Sequence, residues 1–539
     1  MPSSIALNGL VFALVCAALT QPGAAQCPAR PVPGTVVANP PEIDSQNGVL
    51  QAGFTFRSSQ DAFHYLHECY IYQGSTGAVE APTLRLNPGD QLILTLTNRL
   101  TYVPPQSPGP QPHASMPKMN RATASDPCTG GAMTPTATNI HFHGLNIPPK
   151  CHMDEIIDTT IENTDAPFEY NFRIPADDAP GMYWYHPHLH GEVTLQVNGG
   201  AAGALIVGGI EKLKPQVAGL PERVFVIRQQ FADANSWVGG PNQLTLNYQP
   251  ATYPQSPSPI IVMKPGAREF WRVANAASQA FLNLQVLFGT TPQKLELIEL
   301  DGIPVKENAQ VTTISLPPAG RAEFIVQGPP GGQTASFQQA GFNTGPIGNP
   351  NPTQELAAIR TSSDAQEPPA AAPAAPSISV PPRFAGLTTA TVTANRKFYF
   401  SEATLGSNGP TEFFITPDGQ HPKVFNMSDP PAVTTTVGAV EDWTVENRTG
   451  ETHAFHIHQI HFLYLAVNDK PFPTPELRDT VIVPAWSGSG PYPSVKMRMD
   501  FRDPQIAGRF VYHCHILDHE DAGMMAIIQV NPKQNVLGR

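Results

Sequence analysis

His513-Cys514-His515 places a thiol between two imidazoles, with a third imidazole at His519 and a thioether at Met524. Cys, His and a weak axial Met are the ligand set of an electron-transfer blue copper site. Along an extended strand, alternate side chains face opposite sides. Cys514 would then face one metal while His513 and His515 face away, toward a second. Adjacent residues have Cα atoms about 3.8 Å apart, so a short bonded path would join the two sites and could carry electrons.

Three more motifs supply what the second site needs: His141-Phe-His143-Gly144, His186-Pro-His188 and His453-Ala-Phe-His456-Ile-His458. Together the four motifs hold ten of the 17 His: 141, 143, 186, 188, 453, 456, 458, 513, 515 and 519. One His-x-His pair alone is weak evidence, because most such pairs are surface or core residues. Four in order, one of them enclosing a Cys, point to metal chemistry. Zinc is the main rival, but a structural zinc site closes with four ligands, and Cys514 has no second Cys nearby. Imidazoles with a single thiolate suit copper.

These motifs, in this order and spacing, resemble the multicopper oxidase family of laccases, bilirubin oxidases, spore-coat laccases and cuprous oxidases, over roughly residues 40 to 532. Asn87-Pro-Gly-Asp90, Trp184-Tyr185 and Arg478-Asp-Thr-Val481 match the family as well. The resemblance implies an all-β fold of three cupredoxin-like Greek-key β-sandwich domains, and four copper ions. It implies a type 1 copper on His453, Cys514 and His519, with Met524 axial. Met525 is the competing axial residue, and the ten-residue spacing from Cys514 favours Met524. His141 and His456 would hold a type 2 copper. His143, His186, His188, His458, His513 and His515 would hold a type 3 pair.

The implied reaction has two halves. A reductant gives up single electrons through an edge of His453 or His519. Electrons then pass through Cys514 to the three-copper cluster, where dioxygen becomes water. Phenols and aromatic amines are the expected reductants. Cu(I) or Fe(II) is the alternative, and a non-catalytic copper store or electron carrier is a third reading. The axial Met implies a moderate type 1 potential. Forming water consumes protons, and two acids are candidate donors: Glu520, directly after His519, and Asp154, in the loop after the first His pair. The plainer reading makes Glu520 a solvated loop acid or a group that orients a His, and gives Asp154 no catalytic role.

The elements that must position these residues read as short strands between Pro/Gly turns, with little helical periodicity. Proline is 59 of 539 residues, about twice the usual share, which suits an all-β chain rich in loops and edges. An internal repeat is visible: Gly181-Met-Tyr-Trp-Tyr-His186-Pro187-His188 aligns with Gly508-Arg-Phe-Val-Tyr-His513-Cys514-His515. Two domains thus look like copies of one sandwich, and only the later copy has the thiolate. The expected organisation is a signal at 1–25, a first domain at 26–210 and a ligand-free second domain at 211–361. An extended, exposed Ala/Pro-rich linker at 362–383 then leads to a third domain at 384–539. Residues 101–137 form a long Pro/Ser-rich insertion. There His113, Met116, Met119 and Met133 could form a soft Cu(I) site, although incidental Met in a loop is the simpler reading. His190 is expected beside the ligands, and His461 and His152 as structural or solvent-facing residues.

The net charge is −12 and the chain has no basic run, which argues against nucleic acid and anionic membranes as partners. The apolar run from Leu10 to Leu19 reads as a secretory signal, too short to span a membrane. Cleavage after Ala25 and a periplasmic or extracellular location are expected. Apart from Cys16 and Cys514, four cysteines remain: Cys27, Cys69, Cys128 and Cys151. An even number in an oxidising compartment suggests two disulfides. Three pairings are possible; Cys27–Cys69 with Cys128–Cys151 is preferred, and free thiols are the alternative.

Overall fold

The computed structural model describes residues 26–60, 65–101, 126–130, 133–231, 242–251, 257–370, 383–406 and 409–533. The expected signal at 1–25, the insertion residues His113, Met116 and Met119, and linker residues 371–382 lie outside these.

Strand periodicity decides the layers. In Gln91–Asn98 every second side chain is buried, as a strand with one core face requires. Six large sheets form in this way and pack as three sandwiches. The first closes over Phe54, Leu94, Phe142 and Tyr185. The second closes over Trp271, Leu284 and Phe337, and the third over Trp443, Met497 and Tyr512.

The repeat seen in the sequence is also a repeat of topology. Gly181–His186 lies antiparallel between His141–His143 and Gly203–Val207. Gly508–Cys514 lies antiparallel between His453–Ile457 and Met525–Asn531. In both copies the outer strand continues into a parallel partner, Thr83–Leu86 in one and Val433–Thr436 in the other. Register brings His141 opposite His186 in the first sandwich and His456 opposite His513 in the third.

Two short helices complete the seam between these copies. Val193–Gly199 and Leu517–Asp521 meet through Val193, Val197 and Leu517, all fully buried. Burying such an aliphatic side chain contributes roughly 1.5–3 kcal/mol. The helix Leu517–Asp521 carries His519 and Glu520, so Glu520 is not a solvated loop acid.

Two segments depart from the expected boundaries. Val37 joins the core of the second sandwich, and the backbone of 35–37 bonds Ile260. The N-terminal segment thereby covers the edge strand Ile260–Met263, whose free backbone groups need partners. Residues 362–370 are likewise not a free exposed linker. Pro369 O accepts from Glu222 N, Ala370 bridges Pro221, and Ala365 is buried. Among the described residues, no helix is long and apolar enough to cross a membrane.

Cys27–Cys69 and Cys128–Cys151 are disulfide-bonded, as preferred from the sequence, and Cys514 is free and buried. The first bridge closes a loop with a sequence separation of 42. Replacing both Cys27 and Cys69 by Ala is therefore expected to lower unfolding stability by about 4 kcal/mol. Denaturant midpoints of parent and variant, compared at equal m-values, measure it.

Candidate metal centre

Strand register and the seam between the first and third sandwiches gather all ten predicted histidines and Cys514 into two buried clusters. In one, the donor atoms of His453, Cys514 and His519 lie within 4.8 Å of one another. Cys514 Sγ is 3.6 Å from His453 Nδ1 and 4.0 Å from His519 Nδ1, and the two Nδ1 atoms are 3.2 Å apart. Met524 is fully buried in the same core as Cys514. Its backbone bonds both Cys514 and His519. Met525 packs elsewhere, against Ile156, Phe425 and Val511, because neighbouring side chains on a strand point apart.

The other eight histidines form the second cluster. His188, His458 and His513 bring their Nε2 atoms to 3.2–3.4 Å of one another. His143, His186 and His515 make a second triplet, and His141 and His456 join His143 in a third grouping. Each triplet mixes ligands from the first and third sandwiches, so the cluster exists only when those two domains dock. The sequence supplied the six type 3 candidates as one set; folding divides them into His143/His186/His515 and His188/His458/His513.

Hydrogen bonds on the outer ring nitrogens set which way each donor points. His141 Nδ1 faces both Asp154 oxygens at 3.0 Å. His186 Nδ1 donates to Pro187 O at 2.9 Å, and His513 Nδ1 donates to Cys514 O at 3.0 Å. The same bond thus recurs in both copies of the repeat. His456 Nδ1 donates to Asp479 O at 2.8 Å, and His143 Nε2 lies 3.4 Å from Asp479 Oδ1. Such bonds fix tautomer and orientation at metal-ligating histidines.

The inward nitrogens test whether a metal fits. His141 Nε2, His143 Nδ1, His186 Nε2, His456 Nε2 and both His515 nitrogens are buried with no hydrogen-bond partner. Buried polar atoms are normally paired. Burial pushes the His141, His143, His188, His456, His458 and His515 imidazoles well below their usual range, and His186 and His453 to about 3. These rings are neutral at pH 7, with lone pairs free for a metal. Burial also pushes the Cys514 thiol up, and a coordinated cation is what makes such a thiol a thiolate. The donor set fits copper at both clusters.

The two candidate acids sit where they can touch this chemistry. Asp154 accepts from Phe142 N at 3.0 Å and Gln459 Nε2 at 2.6 Å while facing His141. Burial pushes its carboxyl up to about 8, against the pull of the Phe142 and Gln459 donors. Glu520 is fully buried; its oxygens lie 3.4 Å from His188 Nδ1 and 3.1 Å from His513 Nδ1, and neither is satisfied by a hydrogen bond. His190 packs edge-on to Phe425, and His461 Nε2 donates to Asp301 O. His152 is exposed and bonds Glu169 O.

Sequence reasoning missed several neighbours. Gln459 directly follows a ligand, and Thr449 and Glu451 precede His453 closely; only that proximity could have flagged them. Asp479 lay inside a phrase already noted, but without an assigned task. Thr449 Oγ1 meets His453 Nε2 at 2.7 Å, which closes that ring edge. Glu451 Oε1 lies 3.4 Å from His519 Nε2. His519 and Glu451 line a pocket between the second and third domains, with Gln229, Gln279, Phe281, Asn349 and Asn351.

Family models described as multicopper oxidase match residues 132–211, 225–363 and 399–534. A laccase of Haloferax volcanii is 25% identical over 419 residues, covering 73% of this chain and 67% of the relative. A multicopper oxidase of Staphylococcus aureus is 22% identical over 468 residues, covering 85% and 83%. Among solved structures, a multicopper oxidase from Campylobacter jejuni, a metallo-oxidase, aligns with a TM-score of 0.66 at 22% identity, over 95% of this chain and 98% of that one. This last likeness bears on fold.

Asp154→Ala would leave the His141 ring without its outer anchor. Metal affinity of the eight-histidine cluster is expected to fall roughly 10- to 100-fold, read as metal content after dialysis, while the Cys514 cluster keeps its metal.

Proposed function

The chain belongs to the multicopper oxidase family, and from that premise we propose that it oxidises small hydrogen-bonding reductants, phenols and aromatic amines, while reducing dioxygen to water. Bound copper supplies the one-electron redox centres of that chemistry. His453, Cys514, His519 and Met524 would hold the type 1 ion. His141 and His456 would hold type 2, and the triplets His143/His186/His515 and His188/His458/His513 the type 3 pair.

The observation that carries the reading is the placement of His519 on the wall of the pocket. His453 is closed off by Thr449, so reductant approach falls to His519 Nε2, which borders the pocket. Glu451 stands beside that edge to accept an O–H or N–H from the reductant. From there the chain itself provides the path inward. Cys514 is bonded through backbone to His513 and His515, one in each type 3 triplet. Asp154 and Glu520 are the groups able to hold protons beside the cluster.

A metallo-oxidase reading has one specific support. Glu402 hydrogen-bonds Glu451, and paired carboxylates suit a hard cation such as Fe(II). Among the described residues the pocket lining contains no thioether or thiol, which disfavours Cu(I). Export to the periplasm or the extracellular space is part of the proposal, supported by the two disulfides.

Oxygen uptake by the copper-loaded protein over phenols, aromatic amines, Fe(II) and Cu(I) decides between these. The highest kcat/KM is expected for a phenol or aromatic amine, and a clear preference for Fe(II) would replace the reading. Cys514→Ser should abolish both blue colour and turnover. Glu451→Gln should raise KM for a phenol roughly fivefold, the loss of one hydrogen bond of about 1 kcal/mol, while the blue colour stays.

A further inference from the structure

The second sandwich contributes none of the ten histidines, yet one of its side chains reaches the eight-histidine cluster. Arg321, on the strand Arg321–Gln327, is fully buried. Its Nη1 and Nη2 donate to the two Asp479 oxygens at 2.8 and 2.6 Å. The rest of the guanidinium is also engaged: Nε donates to Met182 O and Nη1 to Ala319 O. The backbone N–H of Arg321 donates to Asp301 Oδ1. All three domains therefore meet at this one group.

Asp479 in turn touches the cluster at two rings. Its Oδ1 faces His143 Nε2 at 3.4 Å, and its backbone oxygen accepts from His456 Nδ1 at 2.8 Å. His143 and His456 stack on each other at 4.0 Å, so turning one turns the other. The pair also accounts for Gly144. Gly144 has φ of +89°, and a Cβ there would lie 2.6 Å from Arg321 Nη2 and 2.7 Å from Asp479 Oδ2. Only a glycine lets the chain pass this close directly after a ligand.

We propose that Arg321 of the copper-free domain is a positioning residue of the trinuclear site, acting through Asp479 to set the orientation of His143 and His456. The planar guanidinium grips the carboxylate with two parallel bonds, which a lysine cannot copy. A merely structural role would leave the coppers indifferent once the fold is kept. The proposal rests on copper occupying the cluster; the blue colour of the same samples reports copper loading separately.

Three variants test it: Arg321→Lys, Gly144→Ala, and the double change Arg321→Met with Asp479→Asn. The double change removes both charges together, so no lone charge is stranded in the interior. The readouts are copper content per chain, the electron paramagnetic resonance signal of the type 2 ion, blue absorbance and melting temperature. All three variants are expected to keep the blue colour. Their type 2 signals should be altered or lost, and copper affinity at the trinuclear site should be weakened roughly 10- to 100-fold. Gly144→Ala should do so with Arg321 and Asp479 both present. A native type 2 signal and full copper content in Gly144→Ala and in the folded double variant would overturn the proposal. So would a loss of folding in Arg321→Lys that the double variant restores together with a native type 2 signal.

Discussion

Eight imidazoles share one buried cluster, and three of their Nε2 atoms stand 3.2–3.4 Å apart. That crowding is the constraint on which the rest depends. Lone pairs at such distances repel, and buried polar atoms without partners are costly. A cation removes both penalties at once. The cluster is thus a folded arrangement whose stability is tied to the metal it binds, as with other sites whose ligands converge only in the folded chain.

Holding such rings in place requires a second layer of bonds behind them. Asp154 braces His141, the backbone oxygen of Asp479 braces His456, and the carbonyls of Pro187 and Cys514 brace His186 and His513. Correspondence between Pro187 and Cys514 shows how the duplicated sandwich was put to use. Both positions supply the same carbonyl to the preceding imidazole. Only the later copy also carries sulfur, so only it couples the two metal clusters through bonded atoms.

Domain docking does the remaining work. The first and third sandwiches both contribute ligands to every triplet, and apolar contacts such as Leu517 against Val193 and Val197 hold the two sides together. The second sandwich shapes one wall of the pocket at His519 and delivers the Arg321 guanidinium to Asp479. A domain without metal ligands therefore bears on both ends of the electron path.

Much of this was legible in the chain. The four His motifs, Cys514 and Met524 identify copper chemistry because donor type and spacing are local properties. Strand alternation is equally local, and so is the repeat of 181–188 in 508–515. Other decisions belong to the tertiary structure alone. Which histidine joins which triplet depends on strands from two domains meeting across a seam. Closure of His453 and the placement of His519 on a pocket wall depend on where Thr449 and the second domain's loops fall. Glu520 lay in a segment with no helical signature, yet it sits on a short helix behind His188 and His513. Arg321 carries no signal of its own: it lies 158 residues before Asp479, the carboxylate it grips. Only packing in three dimensions brings its charge to the copper cluster, because ion pairs and ring orientations are set by distance in space and not by order along the chain.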